Sequence, residues 1–322
     1  MKIYNNLFIK VISKENLFKS WIEFKKGKLN KEDVLAFRSN LKQNIESLHQ
    51  DLLNHTYKHG KYTSFRVSDP KPRIINKANI RDRVLHHAIC RIIIPIFEPT
   101  FISNSFSCRK NKGTHKGVQS LRRMINKVSK NNHKPCFILK CDIKKFFESI
   151  DHEILLTILF KRIKDQETQE LLKEVVESFN PGIPLGNVVS QWFSNIYLNE
   201  LDQYLKHKLK IKNYIRYTDD FLIVSQDKKH LMKLIPLIWD FLKTNLKLQL
   251  HPNKLSIKKI VQGIDFLGYI TFPNYKLIRT RTKRRILKKI NEKNKTSYFG
   301  VLSHANAYKL KQILENKLKT IN

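Results

Sequence analysis

The spacing of apolar residues predicts helices at both ends of the chain. Within residues 1–60, apolar side chains such as Leu41, Ile45 and Leu48 recur every three to four positions with charged residues between them, as on one face of a helix. Residues 279–322 are also helical in pattern but strongly basic. We therefore expect packed, amphipathic helices in both terminal segments.

A different pattern follows the N-terminal helices. Residues 62–67 and 73–75 are rich in β-branched, aromatic and aliphatic side chains, and residues 69–72 between them contain two prolines and an aspartate. The pattern predicts two strands joined by a turn. A helix is predicted over residues 83–97.

The central third of the chain predicts strands that end in carboxylates. Residues 137–143 form a strand-like run that contains Asp142. Residues 214–217 and 221–224 are two further runs, and Thr218-Asp219-Asp220 lies between them, which is typical of a hairpin with adjacent carboxylates at its tip. Three further helices are predicted: one begins at about Asp151, one follows Pro181–Gly186, and one spans residues 228–246. A strand pair is predicted within residues 263–275.

Composition adds a partner to this picture. The 322 residues include 62 Lys and Arg against 27 Asp and Glu, a net charge of +35, so we expect a polyanion, most commonly nucleic acid, as partner. The four cysteines form no C-x-x-C pair, which argues against structural zinc and a disulfide scaffold. Because the longest apolar run, 92–97, is too short for a bilayer and no signal peptide is visible, we expect a reduced, soluble, cytoplasmic protein without a membrane partner.

Three carboxylates suggest the chemistry. If Asp142, Asp219 and Asp220 converge, their mutual repulsion is tolerable only with cations between them, and oxygen ligands with open positions suit Mg²⁺. Two such ions activate an attacking hydroxyl and stabilise a leaving pyrophosphate. Taken alone, Asp-Asp in a turn is ordinary, because aspartate favours turns.

The order of motifs resembles the reverse transcriptases. The matching motifs, in order within residues 61–272, are Asp142 with Phe147, Gly186 with Ser190, Tyr217–Asp220, Lys254 and Phe266-Leu267-Gly268. The resemblance implies an α+β right-hand polymerase, whose palm holds an antiparallel sheet beside fingers and a short helical thumb. The implied domains are an N-terminal helical extension (1–60), fingers (61–138), a palm (139–272) with an interleaved fingers segment at about 150–188, and a basic helical thumb (273–322).

A finer resemblance is to the reverse transcriptases of diversity-generating retroelements. Where most of the family has Gln-Gly-x-x-x-Ser-Pro, this sequence has Leu185-Gly186-Asn187-Val188-Val189-Ser190-Gln191, and the segments 107–117 and 263–269 also look like that subgroup. This resemblance implies two Mg²⁺ ions, for which Mn²⁺ can substitute, and dNTPs as substrates. It implies binding of a template RNA and its RNA–cDNA duplex, with errors at template adenines. It also implies a small, basic, oligomeric accessory protein.

The resemblance also implies roles for individual residues. The implied catalytic residues are Asp142, Asp219, Asp220 and Lys254, the last as general acid, and the implied metal positions are Asp142, Ile143, Asp219 and Asp220. The implied substrate contacts are Arg73, Arg81, Phe147, Leu185, Gly186, Gln191 and Tyr217, with Lys71 beside the two arginines and Phe147 as steric gate. The implied nucleic-acid contacts are Ser190, Asn195, Phe266, Leu267, Gly268, Arg281, Lys283, Arg284 and Arg285.

Leu185 carries a hypothesis about fidelity. Leucine neither donates nor accepts a hydrogen bond, so a correctly paired nucleotide loses a contact that helps to discriminate it. We therefore expect lowered fidelity. Leu185 could instead fill an apolar wall.

Alternatives stay open at this point. Phe147 could be a core residue, Lys254 a surface lysine, and the arginines general phosphate contacts or solvated charges; a polar helix face also accounts for Ser190 and Asn195. The basic run Arg279–Arg285 could be a nuclear-import signal or a disordered tail, although Ile286 and Ile290 favour a packed helix. Other functions are a group II intron-like, retron or phage-defence reverse transcriptase, or a non-catalytic RNA-binding scaffold; no nuclease or maturase segment is recognisable, which disfavours the intron version.

Overall fold

The structure is a computed structural model that describes residues 2–68 and 72–319. Most of the turn predicted at residues 69–72, including Lys71, lies outside the described residues. The chain divides into two compact units. The first comprises residues up to Ile102, Lys144–Tyr204 and Phe241–Gln249, and the second comprises Ser103–Ile143, Leu205–Asp240 and the residues from Leu250 onwards.

The described residues form helices and antiparallel strands. The helices are α1 (Phe8–Ile12), α2 (Lys14–Phe24), α3 (Glu32–Ser39), α4 (Leu41–Leu53), α5 (Ile80–Phe97), α6 (Thr114–Val128), α7 (His152–Arg162), α8 (Gln166–Glu177), α9 (Val188–Gln203), α10 (Lys228–Leu246), α11 (Thr280–Lys289), α12 (Lys295–Leu302) and α13 (Tyr308–Lys319). The strands are β1 (Thr63–Val67), β2 (Arg73–Lys77), β3 (Phe137–Cys141), β4 (Tyr214–Tyr217), β5 (Asp220–Ser225), β6 (Ser256–Lys259), β7 (Ile264–Phe266), β8 (Tyr269–Thr271) and β9 (Lys276–Ile278). None of these helices combines the length and apolar character needed to cross a bilayer.

The first unit is helical, with one β-hairpin. Helix α2 buries Leu17, Trp21 and Phe24, which share one face because they are three to four positions apart, and it packs against α5. Each such side chain stabilises the fold by about 1.5–3 kcal/mol when it is fully buried. The strands β1 and β2 pair in antiparallel register, with Phe65 opposite Ile75.

The second unit is built on a four-stranded antiparallel sheet in the order β4-β5-β3-β6. Alternate residues of its strands, among them Ile138 and Leu222, contribute to a buried cluster together with Leu121 and Ile125 of α6. The same cluster includes Ile286 of α11. The register of this sheet fixes which residues reach its end.

Most predicted elements are confirmed, and four were missed. Helices in 1–60 and 279–319, the β1–β2 pair, the hairpin β4–β5 and α10 match the prediction, and Ile286 and Ile290 are buried as a packed helix requires. The missed elements are α6, α8, β6 and β9. The predicted domain boundaries remain a prediction; the compact units group residues before 61 with those up to 102, and the basic C-terminal helices with the four-stranded sheet.

Candidate active site

The hairpin of β4 and β5 carries two carboxylates at its tip. Tyr217 pairs with Asp220, so that Thr218 and Asp219 form a two-residue loop. Thr218 adopts a left-handed conformation with φ of 54°. This conformation is unfavourable for a β-branched residue and persists only where surrounding contacts impose it.

The neighbouring strand β3 places a third carboxylate at the same end of the sheet. Its last residue, Cys141, pairs with Phe221 of β5, so Asp142 follows the last pair just where Asp220 begins the partner strand. Opposed residues of antiparallel strands lie about 5 Å apart. The His251 amide donates to the Asp142 carbonyl over 2.8 Å, which fixes this position further. We call Asp142, Asp219 and Asp220 the carboxylate tip.

Two lysines face the carboxylate tip. Lys254 donates to Asp142 Oδ1 over 2.6 Å, and Lys140 Nζ lies 3.4 Å from Asp220 Oδ2. The pKa of Asp220 is raised to about 6, mainly by burial and also by the nearby Asp142 and Asp219, while Lys140 opposes the shift in part. Within the described residues, Asp220 Oδ1 is buried without a hydrogen-bond partner. The site therefore holds more negative charge than these lysines compensate.

The donor set suits a divalent cation of the Mg²⁺ type, which prefers carboxylate oxygens. The buried, unpartnered oxygen of Asp220 is consistent with an additional positive charge at this point. As the side chains stand, however, no group of three or more His, Cys, Asp or Glu within residues 2–68 and 72–319 could hold a metal ion. Metal binding here is therefore a proposal, and it requires the carboxylates to adjust.

The loop is supported by residues that sequence reasoning did not single out. Thr218 Oγ1 donates to Ser107 Oγ over 2.7 Å, and Arg216 Nη1 donates to the Thr218 carbonyl over 3.1 Å. The Arg216 side chain is fully buried. Lys140 was also missed, although it lies two positions before Asp142 on β3 and so shares its face.

In the first unit, the segment with Leu185 and Gly186 is fixed against β2. The Asn76 amide donates to the Leu185 carbonyl over 2.9 Å, and Asn187 Nδ2 donates to the Asn76 carbonyl over 2.8 Å. Gly186 has φ of 117°, and a Cβ there would lie 2.5 Å from Ile75 Cγ2. Glycine is therefore required for this close approach. Leu185 itself is half-buried.

The other predicted substrate contacts of the first unit differ in exposure and in their partners. Phe147 is half-buried in a short 3₁₀ helix, while Arg73 and Gln191 are exposed. Arg81 forms an ion pair with Asp51 and lies over the Tyr57 ring, 5.0 Å from its centroid. These contacts give Arg81 a structural role, which competes with its predicted contact to the triphosphate.

The predicted nucleic-acid contacts of α9 need a correction. Ser190 and Asn195 are each only 1% exposed, because they lie on the buried face of this helix. As they stand, neither side chain can reach a nucleic acid. The spacing Ser190, Phe193, Tyr197 gives a buried face, and it could have indicated this outcome.

The remaining predicted residues belong to the second unit. Leu267 and Gly268 form the turn between β7 and β8 with φ of 53° and 87°, whereas the Phe266 side chain is fully buried beneath it. Ile143 is buried and forms a bridge with Leu250, and Tyr217 packs on the buried cluster. Of the predicted contacts on α11, Arg281, Lys283 and Arg284 are exposed and Arg285 is half-buried.

Comparison with known families adds an identity to this geometry. Residues 58–271, two thirds of the chain, match the family described as "Reverse transcriptase (RNA-dependent DNA polymerase)". The matched segment includes the carboxylate tip, Lys254 and the turn at Gly268.

The curated relatives include a group II intron-encoded protein and a retron reverse transcriptase. "Protein YkfC" of Escherichia coli is 25% identical over 67% of this chain and 66% of its own length. The "Group II intron-encoded protein LtrA" of Lactococcus lactis is 21% identical over 63% of this chain and 45% of its own, and the "Retron Ec73 reverse transcriptase" of Escherichia coli is 33% identical over 42% and 45%. The chain thus covers between 45% and 66% of the length of these relatives.

Solved structures confirm the predicted fold. Telomerase from Candida albicans, in complex with a fragment of telomeric RNA, superposes with a TM-score of 0.53 over 81% of this chain and 54% of its own, at 13% identity. At this identity the likeness establishes the fold alone. The α+β right-hand polymerase predicted from the motifs is therefore the fold of this chain.

Proposed function

Because the chain belongs to the reverse transcriptase family, we propose that it copies an RNA template into DNA at the carboxylate tip. The observation that carries the proposal is the register of the four-stranded sheet, which brings Asp142 to the end of β3 beside the Asp219-Asp220 hairpin. These residues are distant in sequence, and their convergence is what two-metal-ion nucleotidyl transfer requires.

The carboxylate tip would supply the metal ligands. Reverse transcriptases generally use divalent metal ions, and bound Mg²⁺ would activate the primer 3′-hydroxyl and stabilise the leaving pyrophosphate. Asp142 and Asp219 would hold the ions, and Asp220 would orient them or act as a further ligand. Ile143, next to Asp142, would contribute to the same site.

Lys254 would act as general acid. Bond formation between the primer 3′-oxygen and the α-phosphorus breaks the bond to the pyrophosphate oxygen, which gains negative charge and needs a proton. The ammonium of Lys254 is held at the tip by its 2.6 Å hydrogen bond to Asp142 and can donate that proton.

Primer extension on an RNA template tests this proposal. We expect Asp142→Asn to lower single-turnover incorporation by about three orders of magnitude or more, since an amide cannot replace an anionic ligand and such interactions contribute several kcal/mol. RNA affinity should stay within about twofold. Asp227→Asn, which removes the same charge at the far end of β5, is the matched control. Retained synthesis by Asp142→Asn, or no synthesis by the wild-type chain, would favour a non-catalytic RNA-binding scaffold.

We propose more specifically the error-prone enzyme of a diversity-generating retroelement. Its support is Leu185 in place of the glutamine of most family members, followed by Gly186 and, at Gln191, a departure from proline. The proposal includes a template-repeat RNA, dNTPs, the RNA–cDNA duplex, a small basic accessory protein and a cytoplasmic location. The errors would concentrate at template adenines.

A retron or group II intron-like role is the second candidate, and it is favoured by the names of the curated relatives. Sequencing of cDNA made on the native transcript separates the two. Substitutions concentrated at template adenines support the retroelement, as does flanking DNA with a repeat pair that differs at adenines. A uniform, low error frequency supports the other systems.

A further inference from the structure

A basic cavity of about 350 Å³ opens in the second unit, away from the carboxylate tip. It lies at the Ser225 end of β5, whereas Asp220 begins that strand. At about 3.3 Å per residue, the two ends of β5 are about 17 Å apart. The cavity is therefore separate from the site described above.

The walls of the basic cavity are fixed by hydrogen bonds. Val224 N donates to the Asn213 carbonyl, and Ile211 N donates to the Leu205 carbonyl, each over 2.9 Å. On the opposite side, Gln226 Nε2 donates to the Val128 carbonyl at the end of α6 over 2.5 Å. The cavity is thus a preformed feature of the sheet end.

The floor and the rim of the basic cavity differ in chemistry. The floor is lined by the buried residues Ile211, Ile223 and Val224, of which Ile223 and Val224 are neighbours on β5 and point to opposite faces of the sheet. The rim carries the exposed side chains of Lys127, Lys210, Lys212 and His230.

The charge of the rim is not compensated locally. Among the described residues, none that lines the cavity is acidic, and Lys127, Lys210 and Lys212 form no ion pair. Asp227, which follows Gln226 in sequence, does not line the cavity and accepts from the Lys229 amide over 2.7 Å at the start of α10. Such a rim attracts phosphate, and the floor suits an apolar ring.

We propose that the basic cavity binds one nucleotide of an RNA strand outside the polymerase site, with the base on the apolar floor and the flanking phosphates on the three lysines. A volume of about 350 Å³ is in the range of small-ligand sites and suits one nucleotide. The chain's charge of +35 favours a polyanionic strand. The site does not depend on catalysis at the carboxylate tip, so the two proposals can fail separately.

Salt-dependent RNA binding tests the proposal. The variant Lys127→Gln/Lys210→Gln/Lys212→Gln is compared with a control of equal charge, Lys26→Gln/Lys42→Gln/Lys173→Gln, whose lysines lie on the exposed surface of the first unit. The probe is a fluorescent single-stranded RNA without a primer, measured by anisotropy at several salt concentrations. Three lost phosphate contacts should reduce the slope of log K against log salt by about 2, and affinity should fall about tenfold relative to the control variant.

Three further readouts decide the interpretation. Incorporation from a saturating, preannealed template–primer should change less than about twofold in the cavity variant, since the carboxylate tip is untouched. An RNA that carries 4-thiouridine should crosslink to residues 209–226 of the wild-type chain, and excess free dNTP should not prevent this. Equal slopes in the two lysine variants, absence of the crosslink, or its loss with free dNTP would overturn the proposal.

Discussion

The two compact units differ in the surroundings of their predicted site residues. In the second unit, Asp142, Asp219 and Asp220 converge because antiparallel register fixes which strand ends meet, and Lys254, in a short 3₁₀ helix, donates to Asp142. In the first unit, the predicted residues differ in exposure: Ser190 is buried, Leu185 is half-buried and Gln191 is exposed. The difference teaches that convergence at strand ends can be predicted from sequence, whereas the exposure of residues on helices and loops depends on tertiary packing.

The largest effect after loss of a carboxylate should come from Lys254. We expect Lys254→Gln to lower the rate of incorporation by about two orders of magnitude, as is typical for loss of a general acid. Lys258→Gln, which changes an exposed lysine of the adjacent strand β6, should stay within about twofold. If single-turnover rates fall equally in both variants, Lys254 has no special role at the carboxylate tip.

The first unit should be the more acid-sensitive one. Burial lowers the pKa of His86 well below its usual value and that of His87 to about 4. Below the unfolded value of about 6.5, the unfolded chain binds protons that the folded chain does not, so the free energy of unfolding falls as pH decreases.

This loss is at most about 1.4 kcal/mol per pH unit for each histidine, and less for the partly exposed His87. Urea unfolding at pH 7.5 and 5.5, with hydrogen exchange to locate the loss, measures it. His87→Gln should reduce the pH dependence, whereas His230→Gln, at an exposed position, should leave it unchanged. If the loss of stability at low pH begins in the second unit, the expectation is contradicted.

Substitution of Leu185 should have a smaller effect, on the selectivity for the matched nucleotide. If leucine removes a hydrogen bond that is worth about 1–2 kcal/mol, Leu185→Gln should lower misincorporation about tenfold, most strongly at template adenines. Steady-state incorporation of matched and mismatched dNTPs measures it. Leu185→Met, which keeps an apolar side chain, should retain the wild-type error spectrum, and equal error frequencies for all three proteins would rule out this role.

Arg81 should give the smallest effect. Its partners, Asp51 and the Tyr57 ring, are on its own unit, and the ion pair is partly exposed. We therefore expect Arg81→Gln to lower the free energy of unfolding by no more than about 1 kcal/mol and to change the KM for dNTPs less than twofold. A large rise in KM at unchanged stability would instead support the triphosphate contact.

The hairpin could be predicted because it rests on a local pattern, whereas the fold class was implied by the resemblance of the ordered motifs to the reverse transcriptases. Alternating strands with Thr218-Asp219-Asp220 between them indicate a hairpin directly. The missed strands β6 and β9 are short, four and three residues, and their pairing depends on distant partners. Such strands carry little periodicity of their own.

The residues that support the candidate site were harder to predict, because their contacts also depend on distant partners. Arg216 in a basic chain gives no sign that it is fully buried and donates to the Thr218 carbonyl. Ser107, which accepts from Thr218 across the fold, is 111 positions away in sequence. These contacts depend on tertiary packing, so they become visible only in the structure.

The most direct test of the catalytic assignment is single-turnover primer extension on an RNA template by the wild-type chain and by Asp219→Asn. The account predicts Mg²⁺-dependent DNA synthesis by the wild type and, for the variant, loss of about three orders of magnitude in rate with RNA affinity preserved. Synthesis by Asp219→Asn at the wild-type rate would contradict the account.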